Sequence, residues 1–169
     1  YPDHAELAGY KAIPKDERFS PEQACHFRHG YYACVSYVDA QVGRALDALR
    51  RLRLEDSTIV VLWGDHGYSL GEAGHWCKAT NFELDTHVPL MIRVPGMTEQ
   101  GVATEALIEY VDIYPTLAEL AGLPLPDGLD GASLSPILRD PRHPGRDVTL
   151  SQSARPRSPR GPEVMGYSI

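Results

Sequence analysis

The 169-residue sequence predicts an α/β fold, with a mostly parallel sheet flanked by helices and incomplete at both ends. Three observations carry that expectation. A long stretch with apolar residues three and four apart follows a helix-start signature at Ser20-Pro21-Glu22-Gln23. A short, continuous, β-branched run occupies Ser57-Thr58-Ile59-Val60-Val61-Leu62-Trp63, as in a strand covered on both faces. A second apolar run, Val88 to Pro95, precedes another helical segment. Helix, buried strand, loop, strand, helix is the order that a layered α/β architecture needs.

Each element has a local reason. Ser20 is suited to cap a helix, Pro21 to sit at its first position, and Gln23 to reach back to the cap. The helix should run to about Leu52, with Phe27, Tyr31, Val35, Val38, Val42, Ala45, Leu46 and Leu49 on one face. Gly64-Asp65-His66-Gly67 ends the first strand, and a polar, glycine-rich stretch follows to about Thr86. Pro89 lies near the start of the second strand, where a missing N–H is tolerated. Ala106-Leu107-Ile108-Glu109 suggests a short third strand. Asp112 is expected to cap a helix running to about Ala121, with Gly122 past its end. Beyond Gly122 the chain becomes rich in proline. It reads as extended loop with a short strand at Val148-Thr149-Leu150-Ser151. Arg155, Arg157 and Arg160 follow in a Pro/Ser-rich stretch.

Composition narrows the function. Apolar residues are 43% and charged residues 23%, which excludes a wholly disordered or collagen-like chain. No run approaches the roughly 18 apolar residues of a membrane-spanning helix, so no membrane partner is expected. Lys and Arg total 16 against 23 Asp and Glu, a net charge of −7, which is a poor basis for binding nucleic acid. A local cationic pocket for an anionic substrate remains compatible with that charge. Cys25, Cys34 and Cys77 form no C-x-x-C pair, so zinc-ribbon and thioredoxin-like readings fail. The start at Tyr1-Pro2 and the end at Met165-Gly166-Tyr167-Ser168-Ile169 read as cuts within a larger polypeptide.

The chemistry-bearing residues cluster after the first strand. In open α/β sheets, ligands bind beyond the carboxyl ends of strands. Asp65 and His66 sit there between two glycines, and a carboxylate beside an imidazole can reach one divalent ion. The plainer alternative is a turn with Asp65 as a cap and His66 at the surface. Lys78 follows on the same loop and could neutralise an anionic group, or simply be solvated. Glu72 and Glu83 could orient it, and His75 and His87 carry a weaker signal.

Taken together, these residues resemble the sulfatase branch of the alkaline phosphatase superfamily. The resemblance runs through Gly64-Asp65-His66-Gly67, Leu70-Gly71-Glu72-x-Gly74-x-Trp76-x-Lys78 and Thr86-x-Val88-Pro89-Leu90. It continues through Val111-Asp112-Ile113-Tyr114-Pro115-Thr116-Leu117 and Leu129-Asp130-Gly131-x-Ser133-Leu134-x-Pro136-Ile137-Leu138. Tyr31 to Asp39, Ser151-Gln152 with Arg155-Pro156, and Met165 to Ile169 look more narrowly like the iduronate-2-sulfatase group.

The resemblance implies an alkaline-phosphatase-like fold, with residues 1–140 as the later portion of a catalytic domain. Residues 141–169 would then be a Pro/Arg-rich connection into a smaller C-terminal subdomain. It implies a divalent metal, usually calcium, with Asp65 and His66 at its site; because calcium prefers oxygen ligands, His66 is then a distant ligand or bonds the sulfate instead. Lys78 would contact the sulfate and act in catalysis, with His75 and Arg155 as further substrate-binding groups. It also implies a formylglycine nucleophile made in a C-x-P-x-R motif, and none of the three cysteines lies in one. That nucleophile is expected in an N-terminal part outside this chain, so the chain alone should be inactive. The implied partners are a sulfated carbohydrate, of iduronate 2-sulfate type, and the rest of the sulfatase polypeptide. The implied compartment is periplasmic, secreted or lysosomal. Two rivals stand beside this reading: a phosphonate or phosphate ester hydrolase of the same superfamily, and a non-catalytic module binding a sulfated ligand through the arginine cluster.

Overall fold

The computed structural model describes residues 19–78, 80–97, 101–155 and 164–169. These fall into two compact units, one of residues 1–95 with 152–166 and one of residues 96–151 with 167–169.

The first element among the described residues is helix α1, Pro21–Arg51. Ser20 caps it as expected: its hydroxyl accepts from the Gln23 N–H at 3.2 Å, and the Gln23 side chain accepts from the Ser20 N–H at 2.9 Å. That reciprocal cap is worth about 1 kcal/mol. Leu52 ends the helix, again as expected. The apolar stripe is present, but its middle is open: Phe27, Val35 and Val38 are all about half exposed or more. Among the described residues, the first turns of α1 pack on residues 68–76 and its last turn reaches Glu55 through Arg50, 3.4 Å away. Phe19 packs edge-on to Trp76 with ring centroids 5.1 Å apart, and Tyr31 lies 5.1 Å from Tyr68. Arg28 stacks over Trp76 and donates to the Leu70 carbonyl at 2.8 Å.

Strand β1, Val60–Trp63, pairs with β4, Leu90–Arg93. The class is α/β as expected, but this pairing corrects the expectation of parallel strands: the register Val60↔Arg93 through Trp63↔Leu90 is antiparallel. The reason lies in the intervening chain. It turns back through a hairpin and a single helical turn instead of a crossover helix, so the second run returns against the first. Full burial of β1 is likewise not seen, since Trp63 is 47% exposed. The glycine-rich stretch read as loop contains that hairpin, β2 (Ser69–Leu70) with β3 (Trp76–Cys77), and the turn α2, Glu83–Thr86. Strands β5 (Ser151–Arg155) and β6 (Val164–Ser168) pair with each other, so the strand expected at 148–151 begins at its last residue.

In the second unit, α3 spans Ile113–Leu120 and α4 spans Ser135–Arg139. Ala118, Leu134 and Ile137 form its core. Gly122 adopts φ +68°, the left-handed position past a helix end that glycine fills without steric cost. Two expectations are corrected here. The third strand reduces to bridges from Leu107 to Gly145 and Arg146. Asp112 makes no side-chain cap for α3; the cap falls one turn earlier, at Glu109 ahead of a 3₁₀ turn. The Asp112 carboxylate is instead the hub of the unit, 1% exposed, accepting from Glu109 N, Ala132 N and the Arg146 guanidinium. Burial pushes its carboxyl up, but Arg146 and the two N–H groups outweigh that and hold it below the ordinary carboxylate value. No helix among the described residues is long and apolar enough to cross a membrane.

Candidate functional site

The site is built at the carboxyl end of β1. Gly64 N donates to Pro89 O at 3.0 Å, which closes the strand pair just before Asp65. Gly67 follows, and only glycine fits there: a Cβ would stand 1.7 Å from the Leu84 carbonyl oxygen. The same close approach lets Gly67 N donate to Asp85 O at 2.9 Å, so the turn is fastened to α2.

That turn presents Asp65 outward, with its side chain 83% exposed. The His66 ring is half-buried, with Nδ1 2.8 Å from Gly67 O and Nε2 2.5 Å from Lys78 Nζ. A carbonyl can only accept and an ammonium can only donate. Nδ1 therefore carries the proton, and Nε2 presents its lone pair. Asp65 Oδ2 lies 3.3 Å from that same Nε2. Two lone-pair-bearing atoms this close, with no proton between them, are stabilised by a cation facing both. An imidazole whose other N–H is tied to a backbone carbonyl is also the usual arrangement of a metal-binding histidine. Lys78 occupies the one lone pair of Nε2 here, so Asp65 and His66 could offer two ligands to a divalent cation once Lys78 moves off it. Among the described residues, no cluster of three or more His, Cys, Asp or Glu could hold a metal.

Lys78 is delivered from the hairpin. Cys77, immediately before it, has φ +73°, a left-handed backbone rare for a non-glycine residue. Such outliers cluster at functional sites, where surrounding structure holds them. Packing does so here, with Trp76 buried under α1 and the Tyr68 hydroxyl donating to Cys77 Sγ at 3.4 Å. The Cys77 thiol and burial together push the Tyr68 phenol up to about 12.

The structure therefore brings Asp65, His66 and Lys78 together. It does not bring His75 to them as an exposed group. His75 is 3% exposed, with its ring edge-on to Phe82. Burial lowers its pKa from the ordinary value, opposed by the nearby Asp85 carboxylate. Glu72 accepts from Leu70 N at 2.6 Å, and Glu83 pairs with His87 at 2.7 Å, so both have partners other than Lys78. Arg155 ends β5. Arg157 and Arg160 lie outside the described residues.

The first unit thus gathers a carboxylate, an imidazole and an ammonium at the end of one strand. The Sulfatase family profile matches residues 3–123, and the chain belongs to that family. It is 44% identical to mouse iduronate 2-sulfatase over 141 residues, covering 69% of this chain and 24% of that protein. It is 36% identical to the human iduronate 2-sulfatase, covering 84% of this chain and 36% of that protein. The chain thus spans about a quarter to a third of the length of these relatives. Among solved structures, the phosphonate monoester hydrolase of Silicibacter pomeroyi matches with a TM-score of 0.73 and 30% identity, over 89% of this chain and 29% of that one. A protein solved with its substrate D-glucosamine-2-N,6-O-disulfate matches with a TM-score of 0.68 and 31% identity, over 73% of this chain and 26% of that one.

Proposed function

We propose that the chain is part of a sulfuric ester hydrolase that removes sulfate from a sulfated sugar, of iduronate 2-sulfate type. The observation that carries this reading is the meeting of Lys78 with His66 and Asp65. Identity to the iduronate 2-sulfatases supports the choice of sulfate and of sugar. In this reading residues 1–140 belong to the catalytic domain, and 141–169 lead into a smaller C-terminal subdomain.

Asp65 would hold a divalent cation, calcium by the family resemblance; calcium takes oxygen ligands, so His66 would be a distant ligand or bond the sulfate instead. When bound, that cation supplies positive charge against the sulfate oxygens. The Lys78 ammonium turns from His66 Nε2 to a sulfate oxygen and donates to it. As the nucleophile's oxygen bonds to sulfur and the S–O bond to the sugar breaks, negative charge moves onto the departing oxygen and is shared with the sulfate oxygens. A fixed ammonium beside them lowers the barrier more than it stabilises the bound ester. Gly67 O keeps the His66 Nδ1 proton in place, so that as a ligand His66 offers the Nε2 lone pair. The nucleophile, a formylglycine in this reading, comes from a C-x-P-x-R segment that these residues do not contain. The 169-residue chain by itself is accordingly inactive.

The match to a phosphonate monoester hydrolase favours one second reading, a phosphonate or phosphate ester hydrolase on the same scaffold. Steady-state turnover of the intact protein on an iduronate 2-sulfate disaccharide, an aryl sulfate and a phosphonate monoester decides between them. The sulfatase reading requires the highest kcat/KM on a sulfate ester. A higher value on the phosphonate establishes the second reading.

A further inference from the structure

The chemistry-bearing residues of the site sit on two separate pieces of chain. Asp65 and His66 follow β1, while Lys78 follows the β2–β3 hairpin. Their charges favour contact, but an exposed lysine is otherwise mobile, and holding it costs side-chain entropy of up to about 2 kcal/mol. The β2–β3 pairing, with Ser69 opposite Cys77, brings the two pieces near each other ahead of Lys78; the chain beyond Lys78 needs a tie of its own.

We propose that Asp85 is the positioning residue that clamps these pieces together and so sets the placement of Lys78 against His66; the catalytic meaning of that placement rests on the sulfate-ester reading above. Asp85 is 6% exposed. Its backbone carbonyl accepts from Gly67 N at 2.9 Å, one residue past His66. Its carboxylate Oδ2 accepts from Thr80 N at 2.6 Å and from Thr80 Oγ1 at 2.7 Å, two residues past Lys78. Thr80 Oγ1 in turn accepts from Phe82 N at 3.1 Å, which ties Thr80 to the start of α2. A single residue therefore holds the segment after the imidazole through its main chain and the segment after the ammonium through its side chain.

The chemistry of the clamp shows what it needs. Both donors from Thr80 go to one oxygen, and among the described residues Oδ1 has no hydrogen-bond partner. A buried carboxylate with one idle oxygen pays a desolvation cost that packing alone does not repay. An asparagine keeps an acceptor for Thr80 and puts its amide where the idle oxygen stands. An alanine keeps neither, and leaves two Thr80 donors without their acceptor. Asp85→Asn should therefore keep the clamp, and Asp85→Ala should release it. Thr80→Val, which removes only the hydroxyl donor, should fall between them.

The test uses the intact protein and its Asp85→Ala, Asp85→Asn and Thr80→Val variants. Kinetics on a sulfate ester are read with circular dichroism, thermal unfolding and ¹⁵N spectra of labelled histidine. Displacing a catalytic group by about 1 Å costs on the order of 100-fold in rate. A loss of that order in kcat is expected for Asp85→Ala per folded molecule, with a smaller change in KM. Asp85→Asn should recover most of the rate. In chelator-treated, substrate-free protein, where Lys78 rests on Nε2, the His66 Nε2 signal should move in Asp85→Ala as its Lys78 donor leaves, and stay in place in Asp85→Asn. A lowered unfolding temperature with kcat per folded molecule and the His66 signal both unchanged would show a merely structural role and overturn the proposal. So would an Asn variant as impaired as the Ala variant. No turnover of any sulfate ester by the unsubstituted protein would overturn the functional reading instead, and the His66 signal then decides the role of Asp85 alone.

Discussion

Lys78 Nζ stands 2.5 Å from His66 Nε2, and that contact joins two loops that are twelve residues apart in the chain. The direction of the hydrogen bond follows from Gly67 O, which claims the Nδ1 proton at 2.8 Å. A main-chain carbonyl thus decides which imidazole nitrogen faces the ammonium.

Replacing Lys78 is the most direct probe of that contact. In the intact protein, Lys78→Ala should lower kcat/KM for a sulfate ester by roughly 100- to 1,000-fold, the usual loss for one transition-state donor. Lys78 is exposed, so the unfolding temperature should change little. Steady-state kinetics with a thermal melt check both halves.

Calcium should stabilise the intact protein, because a ligand that binds only the folded state raises its stability. A thermal shift on adding calcium to chelator-treated protein measures this without reference to turnover. Asp65→Asn should shrink the shift by more than His66→Ala does.

The second unit should be acid-sensitive through Asp112. Its carboxyl is held below the ordinary value, so the folded state favours the charged form more than the unfolded state does. The stability it contributes is present above the unfolded pKa near 4, and is lost as pH falls through the lower folded value. Melting temperature against pH should fall more steeply at the acid end for the unsubstituted protein than for Asp112→Asn. Arg146→Met, which strands the buried carboxylate, should cost about 3 kcal/mol near neutral pH by denaturant unfolding.

The open stripe on α1 should make the isolated 169-residue chain self-associate. Phe27, Val35 and Val38 on that stripe are all at least half exposed, and apolar surface of that kind favours association. Light scattering should show particles larger than a monomer, and Val35→Ser with Val38→Ser should reduce them. A monomeric, reversibly unfolding chain would refute this.

Local signals in the sequence were enough for the elements whose physics is local. Ser20, Pro21 and Gln23 specify the start of α1 because a capping box is formed within four residues of chain. Gly122 marks the end of α3 for the same reason: a left-handed turn is a property of one residue. The apolar run of β1 was legible as a strand, but its antiparallel partner was not. Strand direction depends on how the 26 intervening residues return, and apolar run length carries no information on that. Asp65, His66 and Lys78 were legible as candidates by residue type and spacing. Asp85 was not, because nothing in the sequence separates it from Glu83 in the same helical turn. One is buried beneath the site and the other pairs with His87 at the surface.

The sequence by itself determined the α/β class, the long capped helix and the residue types gathered after β1, since these depend on propensity and periodicity over short stretches. Only the tertiary structure decided which nitrogen of His66 meets Lys78, that Asp112 serves as a hub and not a cap, and that Asp85 ties both loops. Those outcomes depend on groups far apart in sequence competing for the same donors, and that competition is settled only when the chain brings them within hydrogen-bonding distance.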